Sequence, residues 1–307
     1  MSDVVCLGIF VADVMAKPIS EMPERGKLKL FKKMELHTGG CANNTGIGLA
    51  KLGIKTACIG KVGNDGFGDF ILNVLKKNNV DIKGIKRDRK ENTSFTFVMI
   101  HPDGERSFFH YLGANATLSY ADIDFSIIKK SKLLHVAGTY LMPGFDGKPT
   151  MRLLKRTKES GIKTALDTAW NSRGDWEKIL PCLPYVDIFL PSFEEAKMIA
   201  KKEDKTEVAD FFIKRGVRII GLKMGEKGCY VKADKGEFQI PSYKVKSLDA
   251  TGAGDSFVAG FLAGIIKGYE LEKCAKLGNA VGACCVQAIG CTTGIKNMKE
   301  TLNTFKI

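Results

Sequence analysis

Six short apolar runs rich in β-branched residues recur along the chain: Val4–Val11, Lys55–Val62, Leu133–Ala137, Thr164–Leu166, Ile188–Leu190 and Arg218–Leu222. Helical patterns lie between most of them, at Asn44–Leu52, Phe67–Lys77, Thr150–Ser160, Phe193–Lys201 and Val208–Arg215. A strand that is apolar on both sides must be covered on both faces, and a parallel neighbour needs a crossover long enough to hold a helix. The alternation therefore predicts βαβ units and a mainly parallel sheet flanked by helices. At 307 residues, 44% of them hydrophobic, the chain can bury one large α/β core. No repeat, low-complexity tract or long linker divides it, so one main domain is expected, with any second piece inserted.

Two segments break the rhythm. Lys27–Leu36 is strand-like and follows the opening strand, and Ser94–Tyr111 holds two alternating runs joined by Pro102-Asp103-Gly104-Glu105, a hairpin signal. Together they form either a small separate sheet, suited to a mobile cover over a ligand, or an extension of the main sheet's edge.

The charge balance restricts partners. Lys and Arg number 47 against 34 Asp and Glu, a formal +13, but 38 of the cations are Lys and they are scattered in pairs such as Lys32-Lys33 and Lys201-Lys202. A nucleic-acid surface would cluster them and favour Arg, so a solvated Lys coat is expected and no nucleic-acid partner. Leu277–Ile295 carries no charge over 19 residues, the length of a membrane span, yet its four glycines, Asn279, Gln287, Thr292 and Thr293 predict a buried helix ending near Gly290. No membrane partner is expected. The nine cysteines show no C-x-x-C and no zinc-like spacing, and several sit in apolar runs. With no basic n-region at Met1-Ser2-Asp3, the expectation is a cytoplasmic protein with reduced thiols.

The sharpest local signal is Leu248-Asp249-Ala250-Thr251-Gly252-Ala253-Gly254-Asp255-Ser256-Phe257, a small-residue loop running into an apolar helix. Glycines there let backbone N–H groups face outward and add to the positive end of the helix dipole, which makes an anion pocket. Asp255 is either a cap or dipole partner, or a base that takes a proton from a hydroxyl attacking a phosphoryl group held in that pocket. A second glycine-rich turn, Thr38-Gly39-Gly40-Cys41-Ala42-Asn43-Asn44, also opens a helix. Asn43 or Asn44 can cap it, while Gly39-Gly40 permits close approach of a polyhydroxylated ligand whose hydroxyls an amide can both donate to and accept from. There is no G-x-x-x-x-G-K-[ST], no G-x-G-x-x-G after the first strand, and none of His37, His101, His110 and His135 has a metal-ligand or Ser/Asp context.

Taken together, Gly39 to Asn44, Lys61-Val62-Gly63-Asn64-Asp65-Gly66-Phe67-Gly68 and Asp249 to Asp255 resemble the two signatures of the ribokinase-like (PfkB) carbohydrate kinases. Gly104-Glu105-Arg106, Gly113-Ala114-Asn115-Ala116 and Gly225-Glu226-Lys227-Gly228 extend the likeness over nearly the whole chain. The resemblance implies a doubly wound α/β fold with a small β lid, placed at roughly residues 14–37 and 94–112. It also implies transfer of the γ-phosphate of ATP to a sugar hydroxymethyl, with Asp255 as base and Gly252, Ala253 and Gly254 as anion hole. Asp13, Gly39, Gly40 and Asn44 map to the sugar side; Ser192, Lys223, Gly225, Gly228 and Asn279 map to the nucleotide side. Glu195 maps to water on Mg2+, although Ser192 stands where the family's N-x-x-E element has Asn. Asp249 and Thr251 match backbone positions that hold a monovalent cation, potassium, in some members. Val11 stands where ribokinase has an Asn, removing one ribose contact. Nucleosides, keto-deoxy sugar acids and a non-catalytic sugar-binding regulator are the alternatives within the fold, and a homodimer through the lid is conceivable.

Overall fold

A computed structural model of the chain describes residues 1–234 and 236–307. In chain order the strands are β1 (Val4–Gly8), β2 (Val11–Lys17), β3 (Lys33–Gly39), β4 (Thr56–Gly63), β5 (Asp81–Asp88), β6 (Phe95–Ile100), β7 (Arg106–Tyr111), β8 (Leu133–Thr139), β9 (Lys163–Thr168), β10 (Ile188–Phe189), β11 (Ile219–Lys223), β12 (Cys229–Ala233) and β13 (Gly236–Ile240). The helices are α1 (Cys41–Lys51), α2 (Gly66–Lys77), α3 (Phe125–Lys129), α4 (Lys148–Glu159), α5 (Phe193–Ala200), α6 (Lys205–Ile213), α7 (Ala253–Ile266), α8 (Leu271–Cys285) and α9 (Met298–Phe305). The larger sheet runs β13-β12-β11-β10-β9-β8-β1-β4-β5, parallel from β11 to β5 and antiparallel at β11–β12 and β12–β13.

Alternation along β1 shows why the sheet is covered twice. Val4 and Cys6 enter one apolar core with α1, α7 and α8, while Val5 and Leu7 enter the other with α4, α5 and α6. All four side chains are fully buried, each valine or leucine contributing about 1.5–3 kcal/mol relative to exposure. From β1 the chain builds outward to β4 and β5 on one side, then returns to β8 on the other. The crevice beyond the carboxyl ends of the strands at such a reversal is where open α/β sheets take ligands.

The two irregular segments form a separate four-stranded sheet, β3-β2-β6-β7, rather than an edge extension. Its β2 is the unexpected member. The run Val4–Val11 is not one strand: it breaks at Ile9-Phe10, and β2 leaves the main sheet to pair with β3 and β6. Asp13 is thus inside a strand of the small sheet. Lys27–Leu36 is extended only from Lys33, and the helix expected to end near Gly290 stops at Cys285. The edge strands β5 and β13, and β12 beside the latter, had no clear apolar alternation to announce them. Among the described residues, no helix is long and apolar enough to cross a membrane.

Candidate active site

Asp255 lies in the first turn of α7, and its conformation is set by the loop before it. Gly252 is the N-cap in the left-handed region (φ 79°), and a Cβ there would stand 2.6–2.7 Å from Cys291 atoms. Only glycine makes that turn without strain. The N-cap contributes no side-chain hydrogen bond, so Asp255 is not used as a cap; its Oδ2 accepts from Asn44 Nδ2 at 2.8 Å. Burial, the largest influence, pushes the Asp255 carboxyl above its ordinary range, against the lowering effect of Asn44 and Lys223. The first-turn N–H groups of Gly254 and Asp255 have no acceptor within the helix, whereas Ala253 N–H makes a turn bond to the Ala250 carbonyl (3.2 Å).

Asn44 reaches Asp255 because α1 starts earlier than an Asn cap would place it. Gly40, with φ 92°, is the N-cap; neither Asn43 nor Asn44 caps. Both are buried in the first turn, where Asn43 Nδ2 donates to Asn44 Oδ1 (3.1 Å), so a relay of amides orients the carboxylate. Gly39 precedes this turn because Asp13 lies against it: a Cβ at Gly39 would come within 2.0 Å of Asp13 Oδ2. Burial pushes the Asp13 carboxyl up to about 6.

Two cavities lie on either side of the turn that carries Asp255, and Asp255 itself lines the first. One, about 280 Å³, is walled by Asp13, Asn44, Gly40, Gly252, Asp255 and the small-sheet residues Thr96, Val98, Phe108 and His110. The other, about 290 Å³, is walled by Lys223, Gly225, Gly228, Ser242, Tyr243, Gly254 and Asn279. Asn279 Nδ2 donates to the carbonyls of Ile240 (3.1 Å) and Pro241 (3.0 Å), so it fixes the wall of this cavity through the backbone. The Gly252–Gly254 turn is thus the partition, facing one cavity through Gly252 and the other through Gly254.

Behind the partition is a buried polar cluster. Lys223 Nζ donates to both oxygens of Asp167 (2.9 and 2.8 Å), a residue 1% exposed, and lies 3.5 Å from where a Cβ of Gly254 would be. Burial lowers the Lys223 pKa, but Asp167 and Glu195 outweigh it and hold the ammonium above its ordinary value. Glu195 Oε2 accepts from Thr168 Oγ1 (2.8 Å) and Ser192 N (3.0 Å), while Ser192 Oγ accepts from Glu195 N (3.2 Å). Ser192 in place of Asn therefore keeps a reciprocal cap on α5. Asp249 and Thr251 line the first cavity, and both are met by the small sheet: Arg106 Nη1 donates to Asp249 Oδ1 (2.9 Å) and to Thr251 Oγ1.

Sequence reasoning did not single out Asp167, Thr96 or Phe108, set His110 aside for want of a motif, and gave Arg106 no partner. The available signal for Asp167 was a charged residue ending an apolar run, Leu166-Asp167, matched by Leu222-Lys223. Nothing local marked the others.

A glycine-rich turn at a helix N-terminus, flanked by a carboxylate and two adjoining cavities at the carboxyl edge of a doubly wound sheet, is a geometry suited to phosphoryl transfer. The sequence matches the pfkB family carbohydrate kinase profile across residues 1–298, and the chain belongs to that family. It is 33% identical over 251 residues to an uncharacterized sugar kinase of Archaeoglobus fulgidus, covering 81% of this chain and 98% of the relative. It is 30% identical over 271 residues to fructokinase-2 of Zea mays, covering 82% and 80%. The ribokinase of Arabidopsis thaliana, solved with ribose and ATP, shares the fold with a TM-score of 0.88 over 100% of this chain and 99% of that one, at 23% identity. The protein is a sugar kinase.

Proposed function

We propose that this kinase transfers the γ-phosphoryl group of ATP to a hydroxymethyl of a small neutral carbohydrate, with Asp255 as the base. The observation that carries the reading is the position of Asp255, at the partition between two cavities and held by Asn44 from the acceptor side. The Asp255 carboxylate takes the hydroxyl proton as the oxygen attacks phosphorus. Amides of the Gly252–Gly254 turn and the Lys223 ammonium offset charge on the transferred group; this is positioning and electrostatics, with no covalent enzyme intermediate. Asp13, beside Gly39 and Gly40, accepts from acceptor hydroxyls. Gly225, Gly228 and Asn279 shape the nucleotide cavity.

Asp167 and Glu195 lie in the buried cluster around Lys223, and both Asp167 oxygens are taken by the ammonium, which leaves Glu195 as the carboxylate that suits an oxygen-ligated Mg2+ through water. Among the described residues no cluster of three or more ligating side chains forms a protein cage, so Mg2+ would be held chiefly by nucleotide phosphates and water, with Glu195 nearby. Its chemistry, when bound, is charge neutralisation on the phosphates. Potassium fits less well: Arg106 already neutralises Asp249, and the Cys285 thiol donates to the Thr251 carbonyl at 3.5 Å.

The acceptor cavity contains Asp13, Asp249 and Asp255 and, among the described residues, no Lys or Arg in its wall. A keto-deoxy sugar acid would bring a further negative charge without a partner. A nucleoside is the second reading, favoured by the apolar wall of Val11, Val98, Phe108 and Leu141. The test is ADP release from Mg-ATP across pentoses, hexoses, ketohexoses, nucleosides and sugar acids. Neutral acceptors give turnover, and sugar acids give roughly 10²-fold lower kcat/KM. No release with any acceptor would sink the catalytic reading in favour of a sugar-binding regulator.

We further place residues 1–307 in one kinase domain, with the segments around 14–37 and 94–112 as its lid. The small sheet's register puts Leu36, Val14, Phe97 and Phe109 in one row on the side away from the acceptor cavity, and Met34, Leu36, Phe109 and Tyr111 there are exposed. An apolar sheet face of this kind suits a homodimer. Phe109→Glu is expected to turn a dimer into a monomer in sedimentation velocity; a wild-type monomer at tens of micromolar, by order of magnitude, would reject the dimer. All nine cysteines are free thiols, in keeping with a cytoplasmic setting.

A further inference from the structure

Arg106 opens β7 at the rim of the small sheet, opposite Ile100 of β6, yet its guanidinium ends on the loop that leads into α7. We propose that Arg106 is a positioning residue that ties the small sheet to the anion-binding turn, so that the turn is set for phosphoryl transfer when the acceptor is covered. The consequence for turnover rests on the proposed kinase mechanism; the mechanical tie does not.

The tie is continuous. Asp249 is 3% exposed and its carboxylate holds three groups: Arg106 through Oδ1, Thr251 N through Oδ1 (2.9 Å) and Gly290 N through Oδ2 (2.9 Å). The same guanidinium nitrogen donates to Thr251 Oγ1, one residue before Gly252. Leu248 N bonds to the Val286 carbonyl (2.7 Å), anchoring the loop's start to the end of α8. Asp249 therefore gathers the two chain segments that pack at Gly252 and Cys291, and Arg106 is the cation that compensates its buried charge. Backbone bonds and Arg106 hold Asp249 below the ordinary carboxylate range, against the raising effect of its burial.

On the other side, β6 pairs with β2, the strand that carries Asp13. Acceptor-binding groups and Arg106 thus ride on one hydrogen-bonded sheet. A shift of that sheet away from the acceptor withdraws the guanidinium from Asp249 and leaves a buried carboxylate short of its partner, which loosens the turn. Misplacement of a reacting group by about 1 Å costs roughly 10²-fold in rate. A cavity of about 170 Å³, lined by Lys17, Lys33, Glu35, Leu248 and Ile289, adjoins the pair and can admit a free guanidinium ion.

The experiment compares wild type with Arg106→Ala and Arg106→Lys. Hydrogen exchange at residues 249–254 is expected to be about tenfold faster in Arg106→Ala, whether or not an acceptor is known. With an acceptor, kcat falls by about 10²-fold while KM for ATP stays within about threefold. Millimolar guanidinium restores kcat of Arg106→Ala by roughly tenfold, and Arg106→Lys retains an intermediate rate. If Arg106→Ala does not fold, Thr251→Val removes one of the guanidinium's two acceptors and must show the same pattern in milder form. Wild-type exchange at 249–254 in a folded Arg106→Ala protein overturns the tie. Faster exchange with unchanged kcat overturns the coupling to catalysis. A wild-type protein inactive with all acceptors would instead remove the kinase mechanism and leave the exchange result to decide the tie.

Discussion

Asp255→Asn is expected to lower kcat by about 10³-fold or more while leaving ATP affinity nearly unchanged, because a positioned base contributes roughly 10²–10⁴-fold and the amide cannot take the proton. The same substitution is expected not to destabilise the ligand-free protein near neutral pH, and its melting temperature should match or exceed that of wild type. The sign follows from burial. A carboxyl whose folded pKa lies above its unfolded value contributes stability that is fully present below the unfolded pKa and is lost as pH rises through the folded one. Asp255 is such a group, so ionising it in the folded protein carries a cost that Asn avoids. For turnover the sign is opposite. The base must be ionised, so kcat falls as pH drops through a pKa raised above the ordinary Asp range, and this acid limb is absent from whatever activity Asp255→Asn retains. Single-turnover phosphoryl transfer, ATP binding by titration and thermal unfolding at two pH values check the three statements. A near-wild-type kcat rejects Asp255 as base. A folded, inactive protein that has also lost ATP binding would make the residue part of the nucleotide site.

How far the sequence reaches can be judged from particular residues. The glycine-rich turns at 39–40 and 252–254 were readable because their chemistry is local: a turn that only glycine makes freely, followed directly by a helix. The parallel sheet was readable because β1, β4, β8, β9 and β11 are apolar on both faces. The break after Gly8 was not, since β2 continues the apolar pattern while serving a different sheet, with Ala12 and Ala16 fully buried there. Nor could a caps-first reading of Asn43 and Asn44 survive, because Gly40 starts α1 and frees Asn44 for Asp255 and Asn43 for Asn44. Arg106 and Asp249 are separated by 143 residues in sequence, and no spacing rule connects a hairpin rim to a helix-opening loop.

Lys223 and Asp167 illustrate the remaining limit and carry the second large effect. Each is a charged residue at the carboxyl end of an apolar strand, β11 and β9, with only the two-residue β10 between them in the sheet. Because β10 ends early, the lysine crosses above it and meets both carboxylate oxygens of Asp167. Lys223→Met removes the cation and leaves a carboxylate 1% exposed among Glu195 and Asp255, both of which already repel it. Deleting one partner of a buried pair costs about 3–5 kcal/mol, so unfolding free energy is expected to fall by that order. Asp167→Leu alone strands the ammonium and is destabilising too. The double variant, Lys223→Met with Asp167→Leu, should be much closer to wild type in stability than either single change, since two apolar groups replace the pair and no buried charge lacks its partner. Activity should not recover with stability. The ammonium next to Gly254 lines the cavity proposed for the nucleotide, and on that reading its loss removes a positive charge from the transferring phosphoryl group, worth about 10²-fold or more in kcat. Denaturant unfolding of the four proteins, with kcat measured in parallel, separates the two roles. A double variant as unstable as Lys223→Met would mean that the pair itself, rather than the uncompensated charge, holds the site together. A stable double variant with wild-type kcat would confine Lys223 to a structural role.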